Sequence, residues 1–301
     1  MSLPTVVPVR VAVIGGGRMG AGIAQVFLTA GARVAVVEAG RDASRAARQR
    51  IADGVAQAQL RGRLSESVED MLGRPSLLDS AAELPADTTL VVEAVPERAE
   101  LKATVLTAVE AAVGADTVIA TNTSSLSVTD LAGALRRPDR FLGMHFFNPV
   151  PASRLVELVV AARTDPGLID RVDGWVGALG KTGIVVQDRP GFASSRLGVL
   201  LGLEAIRMLE EGVADAEAID TAMELGYRHP MGPLRSTDLV GLDVRLAIAE
   251  YLHATLGQRF APPQLLRDKV AAGELGRKTG QGFYAYPSRP AADSSDRRRH
   301  P

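Results

Sequence analysis

Val9-Arg10-Val11-Ala12-Val13-Ile14-Gly15-Gly16-Gly17-Arg18-Met19-Gly20 is the stretch that decides how this chain folds. Its first half is a short apolar run, suited to a strand buried on both faces of a parallel sheet. Ala21 to Ala30 carries helical spacing, Gly31 stops it, and Arg33-Val34-Ala35-Val36-Val37-Glu38 is a second buried strand ending in an acid. Strand, Gly15-x-Gly17-x-x-Gly20, helix, strand and acid together describe a dinucleotide-binding unit, with Met19 inside the fingerprint. The glycines permit a tight turn, close backbone approach to a pyrophosphate, and close packing of helix on strand. The helix N-terminus then faces the phosphates. Glu38 is placed to accept both ribose hydroxyls of the adenosine, and an acid there repels a 2′-phosphate, so NAD is expected over NADP. Arg41 lies close by, where stacking on adenine and plain solvation are both open.

Outward from this unit the alternation continues. Arg41 to Leu60 reads as a long helix, Thr89 to Val95 as a buried strand, Glu97 to Val113 as a helix, and Thr117 to Ala120 as a strand. That strand emerges into Thr121-Asn122-Thr123-Ser124-Ser125, hydroxyl residues where open α/β sheets place ligands. Ser80-Ala81-Ala82-Glu83 looks like a capping box opening a short helix. Pro166 to Leu179 is helical and Lys181 to Val186 a last strand. Past Asp188-Arg189-Pro190-Gly191-Phe192 the period becomes helical throughout, over Phe192–Glu211, Asp215 (an expected N-cap) to Leu225, Leu234–Leu256 and Pro262–Ala272. The fold class is therefore α/β: a Rossmann-type, mostly parallel sheet domain over 1–187, followed by an all-α domain over 188–287. Arg277 to Tyr284 reads as a loop and short terminal strand, and 288–301 as a disordered tail. Leu197–Leu209 and Leu239–Leu252 are apolar on more than one face, which a small domain cannot bury alone, so a homodimer is expected.

Composition narrows the function. The 301 residues are 46% hydrophobic and 23% charged with a formal net charge of −1, which argues against a nucleic-acid or polybasic membrane-surface partner. No apolar run approaches a membrane span. The chain has no cysteine, which removes disulfides, thiol chemistry and thiolate metal sites; no metal is expected, and a cytoplasmic location is.

A second stretch, Phe141-Leu142-Gly143-Met144-His145-Phe146-Phe147-Asn148-Pro149, carries the chemistry. His145 alone among the four histidines is flanked on both sides by strand-like apolar residues, and Glu157 follows inside Leu155–Val160. Two strands joined by the turn from Asn148 to Ser153 could bring Glu157 beside His145, making a general base of fixed tautomer. A core histidine and an edge glutamate that never meet would give the same pattern. Arg41, Arg45 and Arg48 fall on one helix face, with Arg61-Gly62-Arg63 beyond it. That face is either solvated surface or a landing strip for a polyanionic substrate.

Several separated motifs agree with one family. Gly15 to Ala24, Val92-Glu93-Ala94-Val95-Pro96-Glu97, Thr121 to Leu126, Gly143 to Val150, His229-Pro230-Met231-Gly232-Pro233, Asp238 to Asp243 and Gly280-Gln281-Gly282-Phe283-Tyr284 together resemble the L-3-hydroxyacyl-CoA dehydrogenase family, of the short single-function kind that includes 3-hydroxybutyryl-CoA dehydrogenases. The resemblance covers roughly Val9 to Tyr286. It implies NAD-dependent oxidation of L-3-hydroxyacyl-CoA to 3-ketoacyl-CoA, as in fatty-acid metabolism, with His145 as base and Glu157 orienting it. It implies further that Ser124 bonds the reacting oxygen, that Asn148 shapes the turn, that Glu97 and Lys102 lie near the cofactor, and that Arg61, with Arg48, faces CoA. The family asparagine near the start of the second domain is replaced here by Ser195, whose single hydroxyl must stand in for an amide. Two alternatives follow: a related dehydrogenase of a non-CoA hydroxy acid, similar to gulonate dehydrogenase and lambda-crystallin, and a dinucleotide-binding protein whose catalysis lapsed at Ser195.

Overall fold

The structure is a computed structural model that describes residues 6–62, 64 and 66–286. The chain divides into two compact units after Phe192. The first contains β1 (Arg10–Ile14), α1 (Arg18–Thr29), β2 (Arg33–Val37), α2 (Arg41–Leu60), α3 (Val68–Leu72), β3 (Ser76–Leu78), β4 (Leu90–Glu93), α4 (Ala99–Ala112), β5 (Val118–Thr121), α5 (Val128–Ala132), β6 (Phe141–Phe146), β7 (Leu155–Val160), α6 (Pro166–Ala178) and β8 (Thr182–Gln187). The eight strands form one sheet in the order β3-β2-β1-β4-β5-β6-β7-β8. Every neighbouring pair is parallel except β6 and β7.

Strand alternation splits the core in two. Val11 and Val13 pack with Ile23 and Phe27 of α1 on one side of the sheet, and Ala12 and Ile14 pack with Leu106 and Val109 of α4 on the other. Chain order reverses between β1 and β4, so the carboxyl ends of these strands flank the crevice where open sheets bind ligands. The division falls after Phe192, not after 187, because the connecting turn belongs to the first unit. The Asp188 carboxylate accepts from Ser127 Oγ at 2.9 Å and the Thr129 N–H at 2.7 Å, and Phe192 is buried in the first unit's core.

The second unit contains α7 (Ser194–Glu210), α8 (Ala216–Gly226), α9 (Pro233–Val240), α10 (Leu242–Leu256) and α11 (Gln264–Ala271). Asp215 caps α8 through the Ala218 N–H. The continuous helix expected over Leu234–Leu256 is broken at Gly241, whose φ of 107° only glycine adopts readily. The expected terminal strand is only a pair of isolated bridges, Gly276 to Gln281 and Gln281 to Ala285. Ser80 caps a single tight turn, Ala81–Glu83, in place of a helix. The tail 288–301 lies outside the described residues. No helix among the described residues is long and apolar enough to cross a membrane.

α9 is short, and its N-terminal donors are satisfied from α8. Asp220, 2% exposed, accepts from the Leu234 N–H at 2.8 Å, the Arg235 N–H at 2.9 Å and the Tyr284 hydroxyl at 2.7 Å. A carboxylate at a helix N-terminus is favoured by the dipole as well as by these bonds. Gly232 is required there, since a Cβ would overlap the Asp220 side chain. Asp220→Ala strands three donors and is expected to lower stability by about 2–3 kcal/mol. Urea unfolding monitored by circular dichroism measures this; an unchanged midpoint would show that the cap contributes nothing.

Candidate active site

The glycine loop opens on a cavity of about 1210 Å³ lined by Gly15, Gly17, Met19, Val37, Glu38 and Val95, among others. Each glycine of the fingerprint has its own reason. Gly15 has a φ of 93° and its Cβ would lie 2.9 Å from the Ala94 carbonyl; a Cβ at Gly20 would overlap the Gly15 carbonyl oxygen. A Cβ at Gly17 would meet nothing within 4 Å, so the missing side chain leaves open space at the uncapped N-terminus of α1. That is the arrangement a pyrophosphate needs. Glu38 accepts the Gly16 N–H at 2.5 Å, and Arg50, which sequence reading passed over, donates to the Gly16 carbonyl at 3.1 Å. These residues fit a bound dinucleotide.

His145 is not part of that cavity's wall. It lies on β6, two strands beyond β4, at the same carboxyl edge of the sheet. The antiparallel register sets His145 directly opposite Glu157, and Nδ1 lies 2.7 Å from Glu157 Oε2. An ionised carboxylate only accepts, so Nδ1 carries the proton and Nε2 is left as the basic nitrogen. Glu157 has no exposed surface and His145 is 6% exposed. Phe147 and Phe192 pack beside the imidazole at ring distances of 4.4 and 5.9 Å. Asn122 ties β5 to β6 by accepting the Phe146 N–H at 2.8 Å.

A second polar network joins β4, α4 and the loop after β5. Lys102, fully buried, donates to Glu93 Oε1 at 2.8 Å and the Val95 carbonyl at 3.2 Å, and pairs with Glu97 Oε2 at 3.4 Å. Glu93 also accepts the Thr121 hydroxyl at 2.6 Å. Glu97 Oε1 collects the Thr123 hydroxyl at 2.6 Å and the N–H groups of Ser124 and Ser125 at 2.9 and 3.2 Å. Burial alone would raise the Glu97 carboxyl. Lys102 and the Thr123 and Ser124 donors outweigh it and hold the group below the usual carboxylate range. The Ser124 hydroxyl sits 3.4 Å from Glu97, at the limit of a hydrogen bond, so it can turn outward.

Two models of known families match the chain: the NAD binding domain of 3-hydroxyacyl-CoA dehydrogenase over residues 10–189, and the C-terminal domain of the same enzymes over 191–286. The chain belongs to the 3-hydroxyacyl-CoA dehydrogenase family. It is 42% identical to a probable 3-hydroxybutyryl-CoA dehydrogenase of Deinococcus radiodurans, covering 91% of this chain and 99% of that one. Among solved structures, M. tuberculosis FadB2 superposes with a TM-score of 0.89 at 40% identity, covering 93% of this chain and 100% of the other. The (S)-3-hydroxybutyryl-CoA dehydrogenase of Ralstonia eutropha gives 0.87 at 38% identity, covering 93% and 99%. The protein is thus an NAD-dependent 3-hydroxyacyl-CoA dehydrogenase with the Rossmann-type sheet and helical second domain that the sequence predicts.

Other residues that the family resemblance singles out are placed as follows. Asn148 is exposed at the start of the β6–β7 turn, and Lys181 pins that turn by donating to the Val150 and Ser153 carbonyls at 2.6 and 2.5 Å. Ser195 is half-buried in the first turn of α7, in the second unit. Arg61 lines a separate cavity of about 780 Å³ with Gln25, Arg154 and Lys181, whereas Arg48 is exposed on α2 and is not part of its wall. Arg63 lies outside the described residues.

Lys102→Met leaves Glu93 and Glu97 facing each other without their cation, and is expected to cost about 3–5 kcal/mol near neutral pH. Wild-type Glu97 titrates below its unfolded value, so its contribution is present above that value and is lost as pH falls through the folded one. The gap in melting temperature between wild type and variant should therefore narrow on moving from about pH 8 to about pH 4. A gap of equal size at both ends would refute the role given to Lys102.

Proposed function

We propose that His145 is the general base of this dehydrogenase, with Glu157 as its orienting partner. The carrying observation is the 2.7 Å contact from Nδ1 to a carboxylate with no exposed surface, which leaves Nε2 free to take a proton. Nε2 removes the proton of the 3-hydroxyl, and Glu157 stabilises the imidazolium that forms. Bound NAD supplies the hydride acceptor. The Ser124 hydroxyl, only loosely held by Glu97, donates to the same substrate oxygen as it becomes a carbonyl. In the reverse direction the imidazolium returns its proton to that oxygen. Lys102 acts through Glu97, since all its surface is buried. Gly15, Gly17, Met19, Gly20 and Glu38 hold the dinucleotide, Asn148 shapes the turn beside the base, and the Ser195 hydroxyl supplies the donor that an amide provides elsewhere in the family.

Coenzyme A is bound, in this reading, at the cavity lined by Arg61, Arg154 and Lys181: three cations with no acid in its wall. Phosphates favour such forks and ammonium groups. Arg48 steers the same polyanion from the exposed face of α2. The functional protein is a cytoplasmic homodimer formed through the helical unit, where Leu197, Leu239, Val240 and Val244 are each more than 40% exposed in the single chain.

NADH oxidation with acetoacetyl-CoA and with free acetoacetate tests the substrate assignment. Charge-assisted contacts to the CoA phosphates are expected to favour the thioester by at least roughly 10- to 100-fold in kcat/KM. Equal use of the free acid would instead support the non-CoA branch. His145→Gln should cut kcat by roughly 10²–10⁴ while leaving NADH affinity nearly unchanged, checked by fluorescence titration. Lost cofactor binding in that variant would make the histidine structural.

A further inference from the structure

Asp79 follows β3 and lines the dinucleotide cavity, yet neither the fold nor the proton transfer makes use of it. Ser80, not Asp79, caps the turn that comes next, by accepting the Ala82 N–H at 3.2 Å. The Asp79 side chain enters no hydrogen bond or ion pair among the described residues. What it offers the cavity is an exposed pair of acceptor oxygens with no donor of its own.

Strand register places those oxygens. Ile14 pairs with Val37, and Val37 with Leu78, so Gly15, Glu38 and Asp79, each one step further on, form a row across the carboxyl ends of β1, β2 and β3. Backbone bonds continue the ladder into this row: the Gly15 N–H donates to the Val37 carbonyl at 2.9 Å and the Glu38 N–H to the Leu78 carbonyl at 3.0 Å. Adjacent strands lie about 4.8 Å apart, so Asp79 stands roughly 10 Å from Gly15 along the row. A dinucleotide with its pyrophosphate at Gly15 and Gly17 and its adenosine ribose at Glu38 continues in that direction with its base. Ala81, Leu101 and Val105 line the same cavity and supply apolar walls for a flat ring. Glu38 spends one oxygen on the Gly16 N–H and keeps the other for the ribose, so the edge of the base is left to Asp79.

We propose that Asp79 is a specificity-determining residue that reads the base of the cofactor, accepting a hydrogen bond from the 6-amino group of adenine. The inference rests on the reading that Glu38 holds the adenosine ribose. An ionised carboxylate only accepts, and the 6-amino group of adenine only donates, so the two are complementary. A base with a carbonyl oxygen at position 6, as in hypoxanthine, turns an acceptor towards the carboxylate and is repelled. An asparagine at the same position can present either its amide N–H or its carbonyl, and would not distinguish the two bases.

The test measures Kd for NADH and for nicotinamide hypoxanthine dinucleotide, reduced form, by titrating nicotinamide fluorescence. Wild type is expected to bind NADH about tenfold more tightly, the scale of one hydrogen bond to a charged group, and Asp79→Asn to bring the ratio near one. Asp79→Ala should lower it as well, through weaker NADH binding. Glu38→Gln should weaken both dinucleotides and keep the ratio, because the ribose is common to them. A wild-type ratio near one overturns the proposal and makes Asp79 a solvated acid, whatever the variants do. So does a ratio that survives in both Asp79 variants, even where they gain affinity for NADPH; the acid would then face the ribose and not the base. A ratio lost in Glu38→Gln but kept in Asp79→Asn places the base at Glu38 and removes the underlying reading, an outcome distinct from the other two.

Discussion

Glu157 has no exposed surface, and a carboxylate in that position persists only against a partner that returns what desolvation takes away. His145 is that partner, and the pairing constrains everything around it. The two side chains meet because β6 and β7 run antiparallel in one register, with His145 opposite Glu157 and Phe146 opposite Val156. A slip of one residue would exchange the faces of the strand, moving the imidazole into the layer that holds Leu142, Met144 and Phe146. The base is thus aimed by the sheet itself. Phe147 and Phe192 add walls, Phe192 from a backbone held at a φ of 49° on the connecting turn. A non-glycine residue in that region is kept there only where its surroundings over-determine it.

The second polar network does for the loop after β5 what register does for β6. One cation, Lys102, stands between two acids, and the acid with exposed surface, Glu97, spends one oxygen on it and the other on the Thr123–Ser125 loop. Three consecutive residues are thereby fixed at the sheet's carboxyl edge by a single carboxylate. The Ser124 backbone does the holding, and its hydroxyl stays available for a substrate oxygen. Removing Lys102 would leave two negative charges in a low-dielectric site, where one must protonate or the loop must move.

How much of this could be read from residue order follows from the physics of each feature. The glycine fingerprint is local, so the first βαβ unit was legible in full. Pairing between His145 and Glu157 was legible only as an option, because register is a long-range property that two apolar runs do not determine. β3 was missed: Ser76–Leu78 is three residues long and lies at the edge of the sheet. The break at Gly241 was missed because apolar spacing continues across it, and the backbone reversal is carried by one dihedral angle. Lys102 was readable as a neighbour of the cofactor site by family resemblance, but its burial between Glu93 and Glu97 depends on where β4 and α4 meet. Arg50 reaches the glycine loop across the α1–α2 packing, a contact between residues 34 positions apart that no periodicity reports.

Glycines separate the positions reserved for a ligand from those consumed by packing. At Gly20 and Gly232 the space of a side chain is already filled by this chain's own atoms, the Gly15 carbonyl and Asp220, so the glycine is needed for the fold whether or not anything binds. At Gly17 the space is empty and faces the open N-terminus of α1, so the fold would accept a side chain there and only a ligand excludes one.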